Sequence, residues 1–389
     1  MIAELRREFN QRYSPEKYAR FLQLLEERSG TAIHFRNCET PCFFPEALLE
    51  EMVQAGKELA AQLVGNKEYL DRARQEIPAE FLTANEAPHP MFLQADFGLV
   101  LQEDGSYLPQ LVELQGFPSL YGFQHVVASA YRDAYSLGPV KDILGGHDEK
   151  WAVDLFRQGV VADCDPENVV LLEIDPQNQK TLPDFLVTER MLGLRTVDIR
   201  SVEKRGRKLY SGGIPIDRIY NRAIVDELVR KDAKLQFQFS DDLDVEWAGH
   251  PNWFYLISKF SLPYLKHRTV PEACFLDMLE TVPMDLENYV LKPLYSFAGL
   301  GVKVGVTRED LAAVPSHLRG QYLLQRRVKF TPVIETPHGP TQAEIRIMYI
   351  WRNEIEAVTT IVRMGRGKMM GVDHNRDMEW VGASAGFYL

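Results

Sequence analysis

The 389-residue sequence predicts a mixed α/β (α+β) protein, and three stretches predict it. FLQADFGLVLQ, the turn EDGS and YLPQLVELQ are two β-rich runs about a reversal, the pattern of a hairpin. ENVVLLEI, LPDFLVTERMLG and LRTVDIR run strand, helix, strand, the signature of a parallel α/β unit. From Asn288 onward NYVLKPL, GVKVGV, YLLQRRV, AEIRIMYIW and EIEAVTTIVRM read as an antiparallel sheet with glycine turns.

In chain order, residues 15–29 and 45–75 carry helical periodicity, with Leu48, Leu49, Met52, Ala55, Leu59 and Leu63 mainly on one face. Pro45 suits the first helical position there. Asp104-Gly105 reverses the hairpin, and a helix is expected from Tyr121 to about Tyr135. The glycine-rich LGPVKDILGGHDEK is a natural boundary. The helix of the α/β unit ends at Gly193, and the hairpin KLYSGGIPIDRIYNR closes that unit. Helices are expected to fill roughly 251–266. Three units follow, at 1–140, 141–250 and 251–389, with neither internal repeats nor low-complexity tracts.

Composition narrows the function classes. Hydrophobic residues at 45% and charged residues at 25% are those of an ordinary globular chain. A net charge of -11 argues against nucleic acid as a partner, because phosphate neutralisation needs clustered Lys and Arg. The short basic runs Lys204–Lys208 and Arg326–Lys329 suit a solvated hairpin tip and a strand end. No stretch reaches the roughly 18 apolar residues of a membrane helix, and MIAELRREFNQRYS has no apolar core segment of a signal peptide. Four cysteines are too few for a disulfide framework, which points to a reducing, cytoplasmic protein. His34, Cys38 and Cys42 are spaced by four, but Pro41 interrupts any helix and no fourth ligand lies nearby, so local structure is favoured over zinc.

Three places carry residues suited to chemistry. In YVLKPLYSFAGLGV a strand delivers Lys292 into a loop holding Ser296, Gly299 and Gly301. Such a loop can wrap backbone N–H groups around phosphate oxygens, with lysine as a point charge. Taken alone it is equally a plain hairpin with turn glycines. Glu113 and Gln115 alternate on one strand face, and Asp96 on the preceding strand can converge on them. Two carboxylates and an amide oxygen suit Mg²⁺, although three polar residues on a solvated sheet face have the same pattern. Glu344 and Arg346 share a strand face, and Arg363 ends a later strand, where arginines would neutralise phosphate charge. Asp373-His374-Asn375 lies among turn residues and reads as loop.

Taken in order, these pieces resemble the eukaryotic-type glutathione synthetases and, more loosely, the glutathionylspermidine synthetases, over nearly the whole chain. That resemblance implies an ATP-grasp fold, circularly permuted, with an inserted α/β substrate domain. It makes 1–140 the N-terminal helices with the metal-binding hairpin, 141–250 the substrate domain, and 251–389 the lid with the C-terminal sheet. FLQADFGLVLQEDGSYLPQLVELQGFPS is similar to the hairpin ending in the family's metal pair, implying Glu113 and Gln115 as Mg²⁺ ligands joined by Asp96. YVLKPLYSFAGLGV is similar to the phosphate loop, implying that ATP meets Lys292, Ser296, Gly299 and Gly301. YLLQRRV resembles the hinge strand beside adenine, implying Gln325 and Arg326. The remaining motifs imply an ATP-contacting Glu344, a catalytic Arg363 that also meets substrate, and substrate contacts at Ser119 and Arg222.

The chain departs from the family pattern at Gln94, Gln115, Ser296, Phe297 and Pro118, which bears on the acid and amine more than on ATP. The implied reaction joins a small-molecule acid to an amine. The acid attacks the γ-phosphate, Lys292 and Arg363 stabilise the transferred group, and the amine displaces phosphate from the acyl-phosphate. Two other readings stand beside it: a nucleotide-binding fold without catalysis, and an α/β binding or transferase domain that takes no nucleotide. The family is commonly dimeric, which implies a homodimer.

Overall fold

A computed structural model describes residues 1–296, 299–367, 369–371, 375 and 377–389. The N-terminal helices are α1 (Ala3–Arg12), α2 (Pro15–Ser29), α3 (Glu46–Val64) and α4 (Lys67–Arg74). The expected run 45–75 breaks at Gly65-Asn66, where the Asn66 side chain accepts the Tyr69 N–H and caps a new helix. Pro45 stands one residue before the helix, not at its first position, with an extended ψ of 135°.

Among the described residues the strands form four sheets. The largest takes strands from both ends of the chain. It uses β1 (Cys42–Phe43), β2 (Phe92–Leu101) and β3 (Tyr107–Gln115) from the first third. A parallel sheet follows from β4 (Val169–Glu173) and β5 (Arg195–Asp198). A three-stranded sheet of β6 (Glu203–Arg205), β7 (Lys208–Ser211) and β8 (Ile214–Ile216) projects from it, and β9 (Arg218–Asn221) and β10 (Glu246–Ala248) rejoin the parallel sheet. KLYSGGIPIDRIYNR is therefore divided between two sheets: its first half pairs antiparallel with itself, while Arg218–Asn221 pairs parallel with β4.

A fourth sheet holds β11 (Ala273–Phe275), β12 (Tyr289–Pro293), β13 (Lys303–Val304) and β14 (Tyr322–Arg326). The C-terminal strands β15 (Gln342–Trp351), β16 (Ile355–Gly365) and β17 (Gly382–Phe387) complete the first sheet in the order β1-β17-β16-β15-β2-β3. The strand-rich C-terminal region is thus two sheets. Residues 251–266 hold only a four-residue helix and a 3-10 segment, because Pro263 removes a backbone donor. Among the described residues no helix is long and apolar enough to cross a membrane.

The large sheet has two unlike faces. Ile345, Ile347 and Tyr349 of β15, with Ala95, Phe97 and Leu99 of β2, pack against Leu48, Met52, Ala55 and Leu59 of α3. On the opposite face, Phe92, Met348, Ile350 and Ile361 pack under α5 (Tyr121–Tyr135) and α6 (Glu149–Val160) through Tyr121 and Phe156. The same face continues, by the alternation of side chains along a strand, into Asp96, Glu113, Glu344, Arg346 and Arg363. One half of this face is a helix-covered core; the other is charged.

α3 seats closely because Gly56 has no side chain. An added Cβ would lie 2.1 Å from Tyr349 Oη, whose hydroxyl donates to the α3 carbonyls of Met52 and Val53. Gly56→Ala should lower the unfolding free energy by about 1–3 kcal/mol, the scale of overpacking, despite alanine's better helix propensity. Urea titration of Gly56→Ala, Tyr349→Phe and the double variant checks this. The double variant should recover part of the loss, since the nearest clashing atom is the hydroxyl.

Candidate functional site

Strand register builds the charged half-face. Arg346 of β15 lies opposite Asp96 of β2, which lies opposite Glu113 of β3. Glu344 lies opposite Arg363 of β16, and its partner on the other side is Gly98. Phe330 and Val328 occupy the space a Cβ on Gly98 would fill, and so roof part of the row.

Asp96 is the centre of the network. Arg346 donates to both of its oxygens, Nε to Oδ1 at 2.6 Å and Nη2 to Oδ2 at 2.7 Å. Arg363 donates to the same Oδ2 and also pairs with Glu344 Oε1. Glu113 Oε1 lies 3.8 Å from Arg346 Nη2 and accepts from Gln115 Nε2 at 2.5 Å. Burial pushes the Asp96 carboxyl up, but Arg346 and Arg363 outweigh it and hold it below its ordinary value. Burial pushes Glu344 up to about 7, against the pull of Arg363.

Two lysines reach this cluster from outside the sheet. Lys292, on β12, is buried, and its Nζ donates to Val112 O of β3 at 3.0 Å. Burial lowers it to about 8, with Glu113 opposing and Lys259 adding repulsion. Lys259, from the 3-10 segment, is also buried and donates to the Ser296 carbonyl. A cleft of about 330 Å³ opens here, lined by Glu113, Gln115, Phe254, Lys259, Tyr295 and Ser296. Beyond Ser296, Gly299 and Gly301 turn the chain at φ of 74° and 73°, a conformation glycine adopts without strain. Phe297 lies outside the described residues, as do Asp373 and His374 of the polar loop.

The structure brings together most of the residues singled out from sequence. Asp96, Glu113, Gln115, Lys292, Glu344 and Arg363 meet in one network, with Ser296 at the cleft beside it. Gln325 shares the Lys292 face of the small sheet and donates to Leu111 O, whereas Arg326 points to the other face and pairs with Tyr289 and Asp285. Ser119 lies beside the row, its carbonyl accepting from Gln94 Nε2. Lys259 carried no signal in the sequence: it stands in ISKFSLPYLKH, with no glycine loop or patterned partner.

Arg222 belongs to a second buried group. It pairs with Asp184, which also accepts the Gly122 and Phe123 N–H groups at the start of α5. Burial raises Glu173 to about 8, with Arg222 opposing. Arg222 Nε and Asn221 Oδ1 are buried without partners among the described residues. The group sits where β4 and β9 end. The order β10-β9-β4-β5 diverges there, the position where open parallel sheets bind ligands.

The donor chemistry separates two ligand types. Glu113 and Gln115 border the cleft and offer a carboxylate and an amide oxygen, a pair that suits Mg²⁺ when phosphates and waters supply the rest. Asp96 does not fit that trio, because both oxygens already accept from guanidinium groups. Lys259, Lys292, Arg346 and Arg363 are interleaved with Asp96, Glu113, Glu344 and, beside Lys259, Asp226, a set in which buried cations are available to meet an anion.

No family model matches the sequence, and no curated protein does. Among solved structures, the chain is similar to a glutathione synthetase-like effector from Globodera pallida in its apo form, with a TM-score of 0.61, 10% identity and 96% of each chain covered. The likeness is one of fold. It extends over nearly the full length of both chains.

Asp96→Asn should cost about 3–5 kcal/mol in urea titration, since it leaves two guanidinium groups without their buried anion. Glu344 behaves differently, because its folded value is raised above the ordinary 4.5. Its contribution to stability is complete below about pH 4.5 and is lost as pH rises through about 7. The stability of Glu344→Gln across that window should therefore fall less steeply than that of the parent; parallel curves would show that Glu344 stays ionised.

Proposed function

We propose that the chain is an ATP-dependent carboxylate–amine ligase of the circularly permuted ATP-grasp type. The observation that carries this reading is a buried charged network, holding Lys292, Arg346 and Arg363 with Asp96 and Glu344, that meets at Glu113 a cleft lined by buried Lys259, Gln115 and Ser296. Buried lysines are costly without an anionic partner, and a triphosphate is an anion of the right charge and reach. The fold shared with a glutathione synthetase-like effector supports the same reading.

In this reading Lys259 and Lys292 hold phosphate oxygens. Arg363 is the most exposed charged member of the network, at 25%, and is positioned to leave Asp96 for a transferred phosphoryl group. Mg²⁺, arriving with the nucleotide on Glu113 and Gln115, supplies further neutralisation of phosphate charge. The acid and amine approach from the Ser119 side, toward the Arg222–Asp184–Glu173 group at the strand ends. Because Asp184 already neutralises Arg222, this group favours a substrate end with hydrogen-bonding atoms over a bare second carboxylate. The free thiols of its four cysteines suit the cytoplasm.

The engagement of both Asp96 oxygens favours one competing reading, a fold that binds nucleotide without turning it over. A thermal-shift titration with a non-hydrolysable ATP analogue, with and without Mg²⁺, separates the outcomes. A rise in melting temperature that needs Mg²⁺ and vanishes in Lys292→Ala is expected. An unchanged shift in the variant would sink the Lys292 assignment. Binding without ADP release from any acid–amine pair would select the silent fold.

A further inference from the structure

A second cluster lies on the other face of the large sheet, away from the charged network. Cys38 and Cys42 flank the short turn Glu39–Pro41, and Met364 reaches them from β16. The three side chains are fully buried, and Met364 Sδ lies 3.6 Å from Cys38 Sγ and 3.5 Å from Cys42 Sγ. Taken alone these contacts are ordinary packing of thiols on a thioether.

A second observation makes the cluster unusual. Arg6 of α1 is 3% exposed, and its guanidinium lies on the turn between the two cysteines, donating to Thr40 Oγ1 and the Pro41 carbonyl. Its third partner is the Asn10 amide oxygen, so every partner is neutral. Its Nε is buried with no partner among the described residues, and no carboxylate of those residues pairs with it. A buried cation without a counter-anion is costly, and the groups positioned to become anionic are those two thiols.

We propose that Cys38, Cys42 and Met364 form a binding site for a soft monovalent d¹⁰ cation, Cu(I), with Arg6 as the outer-sphere counter-charge. Two thiolates and a thioether are the donors that select Cu(I). Binding replaces the two S–H bonds by two metal–sulfur bonds and releases two protons; no electron is transferred. The copper dithiolate carries one negative charge, which the Arg6 guanidinium balances. Zn²⁺ on the same thiolates would be neutral, would leave Arg6 uncompensated and would lack a fourth donor, as His34 is exposed.

Metal–sulfur bonds of about 2.3 Å in a trigonal plane hold the sulfurs about 4.0 Å apart, a few tenths beyond the two contacts that Met364 Sδ makes with the cysteines.

The test is anaerobic competition for Cu(I) against bicinchoninate, whose coloured complex fades as the protein takes the ion. The full chain should capture one equivalent, and so should Cys164→Ser/Cys274→Ser, which removes the two more accessible thiols. Cys38→Ser/Cys42→Ser should capture none. Serine at two buried positions can unfold the chain, so Met364→Leu, close in volume, provides a second arm: its affinity falls while its metal-free melting temperature holds. Arg6→Gln should weaken binding roughly 10- to 100-fold, as outer-shell changes do. Failure of the folded parent to capture Cu(I), capture abolished by Cys164→Ser/Cys274→Ser, or unchanged affinity in both Met364→Leu and Arg6→Gln would each overturn the site.

Discussion

Arg346 and Asp96 stand 250 positions apart in the chain and meet as a buried, two-point ion pair across neighbouring strands. A pair of this kind is stable only when both charges find their full set of partners, so it tolerates one register between β2 and β15. A slip by one residue would turn Arg346 and Asp96 onto the α3 face, among Ile345, Ile347 and Phe97, and expose those apolar groups in exchange. The pair thereby fixes how the two ends of the chain are joined. Arg363 and Glu344 then complete the row because β16 follows β15 through a tight hairpin.

The unequal covering of the sheet follows from this arrangement. α5 and α6 reach only the half-face that carries Phe92, Met348 and Ile350, and their apolar sides end where the charged row begins. The row is roofed in part by Phe330 and Val328, which lowers the local dielectric without excluding a ligand. Into its remaining side the small sheet delivers Lys292, and the 3-10 segment delivers Lys259. Residues from separate stretches of the chain thus meet in one charged network beside the cleft. A fold retained at 10% identity with the Globodera effector is consistent with a frame set by sheet order and burial, in which individual side chains are free to change.

Several buried arginines are closely matched by carboxylates. Arg222 has Asp184, Arg346 and Arg363 share Asp96, and Arg218 is held by Glu246 and two backbone carbonyls. Arg6 stands apart from this pattern, with a set of neutral partners and two thiols as its nearest acidic groups.

Local signals fixed many of the elements. The Asp104-Gly105 reversal and Gly193 in the left-handed region mark ends that the structure keeps within a residue or so. Alternation along β2, β3 and β15 also assigned Asp96, Glu113, Glu344 and Arg346 to one side of their strands, since side-chain direction is a property of the strand itself. What a strand cannot encode is which strand lies beside it. The pairing of β2 with β15, the division of the C-terminal strands between two sheets, and the separation of Arg326 from Lys292 were decided by long-range packing. The same holds for Lys259 and for Met364 against the two cysteines, whose neighbours lie far away in the chain. Periodicity and turn chemistry act over a few residues, whereas ion pairing and burial act across space, and only the folded chain brings those partners within reach.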